Sequence, residues 1–139
     1  MTPDRLTESW LLLWNGDYDQ APALLADDFR VHAALMDGGD GSALTGPLAL
    51  VGWIAQTRAA FSDLRFAVQV GPISDGDHLV LRWTAEGAYA GGFPGARAPV
   101  GTPVAFTGTD VLRIADGRLA EYWVNSDVHV LLADLRVSA

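Results

Sequence analysis

The sequence predicts a single α+β domain, residues 1–139, in which helices come first and an antiparallel sheet follows. Apolar residues recur at helical spacing up to Ser62, and after Ser62 they alternate with polar residues. Turns that contain glycine separate the alternating segments, as in a meander of neighbouring strands. Helices grouped before such a meander indicate an α+β arrangement rather than repeated β–α–β units.

The first part of the chain contains three predicted helices and one short strand. A threonine followed by proline is typical of a helix start, and a glycine is typical of a helix end. The predicted elements are a helix from Thr2-Pro3 to Gly16, a short helix capped by Asp19, a strand over residues 29–33, a loop over residues 37–46 and a helix opened by Pro47.

The second part of the chain is predicted to form four antiparallel strands. They cover residues 64–70, 78–89, 104–114 and 119–125, and a short helix over residues 129–135 follows them. The hairpin turn Asp116-Gly117 leaves the register of the last two strands open. A two-residue turn pairs Asp110 with Trp123. A one-residue bulge shifts this pairing by one residue, so that a different set of side chains from the two strands shares a face. We expect the bulge, which leaves Asp110 outward and paired with an Arg, and which groups Thr107, Thr109, Trp123 and Asp127 on one face.

Composition excludes several classes of function. The chain has no cysteine and no lysine, which excludes disulfides, thiolate and Schiff-base chemistry and a phosphate-binding lysine. The three histidines lack metal-ligand spacing and the chain has no phosphate-binding loop, so we expect no metal ion and no nicotinamide or flavin cofactor. A net charge of −8 disfavours a nucleic-acid partner. With no apolar run of ~18 residues and no visible signal peptide, we expect a cytoplasmic chain that does not bind a membrane.

Six short segments carry a family resemblance that covers nearly the whole chain. These are residues 14–17, 25–29, 58–66, 81–87, 91–95 and 111–123, the last leading into Asp127. In them the chain resembles the SnoaL-like branch of the nuclear-transport-factor-2-like (cystatin-like) superfamily. The resemblance implies a cone in which three N-terminal helices pack in a curved antiparallel or mixed sheet around an internal pocket. Relatives include cofactor-free polyketide cyclases and hydroxylases, epoxide hydrolases and ketosteroid isomerases, and some members are not catalysts.

The resemblance also implies a catalytic acid. In the cyclases an Asp just after the last long strand is the general acid/base, and Asp127 occupies that place. Residues 107–109 (Thr-Gly-Thr) stand where the family has a supporting His or Gln. A carboxyl in an apolar pocket suits proton transfer, because loss of water raises the pKa of an acid. The alternative is that Asp127 caps the C-terminal helix.

Two further residues are candidates for catalysis. His32 lies mid-strand and could donate to a carbonyl oxygen, or it could be a satisfied histidine of a core or interface. Arg82 stands in an apolar strand and must pair with an acid, for which we expect Asp110 or Glu121. Related epoxide hydrolases use an Arg flanked by two Asp, and here Thr84 stands in one of those places.

The predicted ligand is a flat, apolar molecule. Aromatic rings can stack on it and hydroxyl or amide groups can bond its oxygens, although aromatic residues are also ordinary core. The predicted substrate-binding residues are Trp14, Tyr18, Trp83, Phe93, Thr107, Thr109, Trp123 and Asn125.

Three functional hypotheses follow. The first is a cofactor-free SnoaL-like cyclase or isomerase acting on a polyketide-type or similar carbonyl substrate. The second is an epoxide hydrolase or hydroxylase on the same fold, using Arg82 with a carboxylate. The third is a non-catalytic small-molecule-binding module. In each case we predict a homodimer through the outer face of the sheet, because the long strands carry apolar residues at both their odd and their even positions.

Overall fold

The α+β prediction is confirmed by a computed structural model that describes residues 2–35 and 39–138. Part of the predicted loop over residues 37–46 lies outside the described residues. The elements are α1 (Pro3–Trp14), α2 (Ala21–Leu24), β1 (Leu25–His32), α3 (Pro47–Arg58), β2 (Phe61–Asp75), β3 (His78–Tyr89), β4 (Pro103–Ala115), β5 (Arg118–Ser126) and α4 (Val128–Asp134). Among the described residues, no helix is long and apolar enough to cross a membrane.

The five strands form one mixed sheet in the order β1-β5-β4-β3-β2. Strands β2 to β5 pair antiparallel, while β1 runs parallel to β5 at the edge. Strand β2 is longer than predicted because register shifts in its pairing with β3 let it continue past the point where alternation breaks. The parallel placement of β1 brings the C-terminal ends of β1 and β5 together at one edge of the sheet.

The two faces of the sheet have different environments. The inner face packs against α1 and presents Leu81, Trp83, Asp110, Leu112 and Tyr122, all of them buried. Because alternate residues of a strand point to opposite faces, the outer face presents Arg82, Thr107, Thr109, Arg113 and Trp123.

The β4–β5 hairpin contains the predicted bulge. Arg113 pairs with Glu121 but Ile114 pairs with Leu119, so β5 carries one extra residue. The prediction that Asp110 points outward is wrong, because its side chain is 2% exposed and lies against α1. A charged residue can be buried there because three hydrogen-bond donors meet it, as described below.

The backbone of β4 passes close beneath a buried ring at Gly108. A Cβ atom at this position would lie 2.2 Å from Cζ2 of Trp83, which crosses over it on the inner face. We expect Gly108→Ala to destabilise the fold by about 3 kcal/mol, since overpacking must displace a buried indole. Chemical denaturation measures this, with Gly52→Ala as the control. Gly52 lies on the exposed side of α3 with open space around it, so that variant should gain about 0.5–1 kcal/mol. Equal stability of the two variants would contradict this packing.

Candidate functional site

A buried carboxyl lies at the centre of the inner face. Oδ2 of Asp110 accepts a hydrogen bond of 3.0 Å from the indole Nε1 of Trp10, on α1. Oδ1 accepts one of 2.9 Å from Nε1 of Trp83, on β3. The hydroxyl of Tyr122, on β5, donates a third. Asp110, on β4, therefore accepts from one helix and from the two neighbouring strands, and all three donors are neutral.

Burial dominates the acid–base chemistry of this carboxyl. Loss of water raises the pKa of Asp110 from its ordinary value of 3.8 to about 6, and the three hydrogen bonds offset only part of the rise. Burial, together with the nearby carboxylate, raises the pKa of Tyr122 well above its usual range. Tyr122 therefore stays a neutral donor while Asp110 titrates close to neutral pH.

Aromatic rings surround the buried carboxyl. Trp10 lies edge-on to Tyr122 with ring centres 4.8 Å apart, and Trp83 lies edge-on to Phe66 at 5.1 Å. Two other members of this layer, Trp53 and Phe106, are only partly buried. The aromatic layer is made of Trp10, Trp14, Trp53, Phe66, Trp83, Phe106 and Tyr122.

Asp127 lies on the other side of the sheet. Its carboxylate accepts a hydrogen bond from the hydroxyl of Thr107, and its backbone N–H donates to the carbonyl of Thr107 at 2.9 Å. Asp127 takes the N-cap position of α4, but within the described part of the chain its side chain makes no capping bond. The half-buried carboxylate borders a small groove of about 180 Å³ between β3, β4 and α4.

Arg82 belongs to the same outer-face chain of contacts. Its Nη2 donates to Thr107 Oγ1 at 3.0 Å and its Nε donates to Gln69 Oε1 at 2.8 Å. The expectation that Arg82 pairs with Asp110 or Glu121 is wrong, because Asp110 is buried on the opposite face and Glu121 bonds other residues. Arg82 instead reaches the carboxylate of Asp127 through the hydroxyl of Thr107.

His32 lies at the edge of the sheet, where Glu121 bonds both His32 and Arg113. The Nε2 of His32 lies 2.7 Å from Oε2 of Glu121, and Arg113 donates to Oε1 at 2.7 Å. Bonds from Arg113 and then from His32 lower the pKa of Glu121. His32 also stacks on Trp123, with ring centres 5.0 Å apart. Both rings belong to the outer face, and His32 is held by a carboxylate rather than buried in a pocket.

The larger groove lies beside His32, where β1 and β5 end. Its volume is about 670 Å³, which is large enough for a drug-sized ligand. Val124, one of its lining residues, pairs with Asp110 across β4 and β5. The groove is lined by Arg30, Val31, His32, Ala33, Ala34, Gly39, Asp40, Ser42, Trp123, Val124 and Asn125.

The residues predicted to form one pocket lie on two faces. Trp14 and Trp83 are buried on the inner side. The other predicted residues of the strands belong to the outer face, and these are Thr107, Thr109, Trp123, Asn125, Arg82 and His32. Tyr18 and Phe93 pack against the edge of the core, in the loop after α1 and the loop after β3. The expected pocket with both Trp14 and Trp123 on its walls is therefore wrong, because a bulge fixes which residues share a face but not which face meets the helices.

Asp110 is the site residue that sequence reasoning missed. An isolated aspartate in a strand usually faces water, and the donors that bury this one come from distant segments. The strand itself indicates the inward position of Asp110, because Gly108, Asp110 and Leu112 alternate onto one face and Leu112 is an apolar core residue. Among the described residues, no group of three or more His, Asp or Glu side chains is placed to hold a metal ion.

Comparison with known proteins supports the fold. The sequence pattern of the SnoaL-like polyketide cyclase family matches residues 4–135. Wild-type IdmH from Streptomyces antibioticus, a candidate polyketide cyclase, is 28% identical, with a TM-score of 0.82 over 99% of this chain and 100% of its own. AclR from Streptomyces galilaeus, a candidate hydroxylase, is 22% identical, with a TM-score of 0.78 over 99% and 97%. A protein from Catenulispora acidiphila with a ketosteroid isomerase-like fold is 20% identical, with a TM-score of 0.72 over 96% and 93%. No curated protein sequence matches.

Proposed function

Because the chain belongs to the SnoaL-like polyketide cyclase family, we propose that it is a cofactor-independent cyclase or isomerase that moves a proton next to a carbonyl group of a polyketide-type substrate. The observation that carries the proposal is the carboxyl of Asp110, which is buried among aromatic rings and has a pKa of about 6. An acid or base works best when its pKa lies near the working pH. Buried groups with perturbed pKa values are also concentrated at functional sites.

In this proposal Asp110 carries the proton. Its carboxylate form takes a proton from the carbon next to the carbonyl, and its acid form returns one to oxygen or carbon. The fixed indole donors Trp10 and Trp83 hold the carboxyl in one orientation through both steps. We infer that the substrate approaches from the 670 Å³ groove, because Val124 on its wall is the cross-strand neighbour of Asp110.

Asp127 is the second candidate for the same role. The observation that favours it is that its carboxylate accepts from Thr107 and stays free of the helix cap, with Arg82 behind Thr107. The same arrangement is the basis for a hydrolase or hydroxylase alternative, in which Arg82 and a carboxylate activate water. That alternative is weaker because Arg82 contacts Asp127 through a hydroxyl rather than as an ion pair.

The test of the proposed activity is an assay on carbonyl-containing polyketide intermediates. The pure protein is incubated with each compound, and with an epoxide analogue, without added metal or cofactor, and products are separated by chromatography and detected by mass spectrometry. A cyclase or isomerase yields a product of unchanged mass, or one that has lost water. Addition of water to an epoxide would support the hydrolase alternative. Binding of a compound without any product, seen as a change in tryptophan fluorescence, would support a non-catalytic binding module.

We also propose that a second copy of the chain covers the outer face at β2, at the opposite edge of the sheet from the 670 Å³ groove. Val70 is 50% exposed and Ile73 is 57% exposed on β2, and they lie on the same face as the partly buried Trp123. Exposed apolar groups of this kind mark interaction surfaces. We expect a dimer in sedimentation at tens of micromolar protein and a shift to monomer in Ile73→Asp. Leu48→Asp is the control, because Leu48 is 88% exposed on α3, away from the sheet. A monomeric wild type would contradict the proposal.

A further inference from the structure

The indole N–H of Trp14 is a buried donor without an acceptor. The Trp14 side chain lies in the last turn of α1 and is 8% exposed, and its Nε1 has no hydrogen-bond partner within the described part of the chain. The indoles of Trp10 and Trp83, by contrast, both donate to Asp110. Buried side-chain donors are nearly always bonded, because leaving one unpaired is costly. The exception at Trp14 therefore calls for a physical explanation.

The surroundings of Trp14 are rich in rings and poor in acceptors. Its ring centre lies 5.6 Å from that of Trp53, 5.4 Å from Phe66 and 6.3 Å from Tyr122. The hydroxyl of Tyr122 donates to Asp110 and accepts no hydrogen bond from the Trp14 indole. The backbone of Trp14 is held in place, since its carbonyl accepts from Nη1 of Arg58 on α3 at 2.8 Å. The donor therefore has a fixed position inside an apolar aromatic layer.

We propose that the Trp14 indole N–H binds a neutral oxygen of the ligand, such as a ketone carbonyl, in this aromatic layer. The inference rests on the proposed function only in assuming that the ligand reaches the inner face. Trp10 links the two groups, since its ring packs on Trp14 at 6.1 Å while its N–H bonds Asp110. Trp10 would then contact both the ring that holds the carbonyl and the carboxyl that moves the proton.

The charge of the layer selects a neutral acceptor over an anion. The ionised carboxylate of Asp110 would repel a second buried carboxylate. The guanidinium of Arg58, which bonds the backbone of Trp14, already donates to the backbone carbonyls of Trp14 and Leu64. A ketone, ester or amide oxygen satisfies the indole donor without adding charge. Trp14 thus becomes a residue that positions the carbonyl, in addition to offering a ring for stacking.

The test compares two naphthalene probes on the whole chain. 2-Acetylnaphthalene carries a ketone, and 2-isopropylnaphthalene has a similar shape without an acceptor. We expect the wild type to bind the ketone about 10-fold more tightly by calorimetry, and Trp14→Phe to lose that preference. Trp53→Phe is the matched control, because it changes a neighbouring ring and should keep the preference. An equal preference in Trp14→Phe and wild type, or none in the wild type, would overturn the proposal.

A second measurement does not depend on the variant being folded. The Trp14 indole N–H signal is assigned in the wild type through its own backbone, by nitrogen–proton NMR. The ketone should move this signal downfield while the hydrocarbon leaves it in place. A signal whose chemical shift does not change when the ketone is added overturns the proposal and indicates that the N–H faces a ring such as Trp53 or binds water only. Substrate turnover with no effect at Trp14 would reject this inference alone. A Trp14 effect with no turnover would reject only the catalytic proposal.

Discussion

The Asp110→Asn variant is expected to turn over substrate at least about 100-fold more slowly than the wild type at pH 7, while remaining folded. General acid/base catalysis contributes about 10²–10⁴-fold, and an amide cannot carry the proton. Asn has nearly the shape of Asp, so the rings of Trp10 and Trp83 keep their packing. Its amide nitrogen cannot accept, however, so one of the two indole donors is left unpaired, which costs about 1–3 kcal/mol of stability. The measurement is kcat for any substrate found in the assay, recorded beside the melting temperature of each variant.

Asp127→Asn is the matched control for this prediction. It makes the same chemical change on the outer face, beside Thr107, and should keep kcat within a few-fold of the wild type. The opposite pattern, with Asp110→Asn fully active and Asp127→Asn impaired 100-fold, would assign the proton to Asp127. In that case the aromatic layer around Asp110 would be structural core only.

The free energy of unfolding is expected to depend on pH through Asp110. The pKa of this carboxyl is about 6 in the folded chain against 3.8 ordinarily, so the folded state holds the proton more tightly. The resulting stabilisation, about 3 kcal/mol at about 1.36 kcal/mol per pH unit, is fully present below pH 3.8 and is lost as the pH rises through 6. Most of it should therefore disappear between pH 4 and pH 7.

Denaturant unfolding of the wild type and Asp110→Asn at several pH values isolates this contribution. Groups such as Glu121, whose pKa is lowered by Arg113 and His32, act in the opposite direction but are the same in both proteins. The difference in unfolding free energy between the two proteins should change by about 2–3 kcal/mol from pH 4 to pH 7. Parallel curves would mean that Asp110 titrates alike in the folded and unfolded chains.

Local patterns made most of the fold predictable from the sequence. The helix start at Thr2-Pro3 is made as expected, since Oγ1 of Thr2 accepts from the N–H of Arg5 at 3.2 Å. The alternation over residues 78–89 gives a strand with the same bounds, and the bulge after Asp116-Gly117 was also predicted. Each of these features depends on neighbours a few residues apart, which is the distance over which sequence patterns carry information.

The face of the sheet that meets the helices could not be predicted, because it depends on a contact between residues far apart in the sequence. Trp10 and Asp110 are 100 residues apart in the chain, and their hydrogen bond lets the even positions of β4 face the helices. A lone aspartate gives no sign that indole donors will meet it. The site predicted from the sequence consequently combines residues of both faces, with Trp14 on one and Trp123 on the other.

The most direct test of the central claim is the pKa of Asp110 itself, measured from the pH dependence of its carboxyl carbon signal in the NMR spectrum. Asp110→Asn removes that signal and so identifies it. A midpoint near pH 6 is the predicted result, because the carboxyl is buried on the inner face with Trp10, Trp83 and Tyr122 as its donors. A midpoint near the ordinary value of 3.8 would contradict the account, since Asp110 would then be fully ionised at neutral pH and poorly suited to moving a proton.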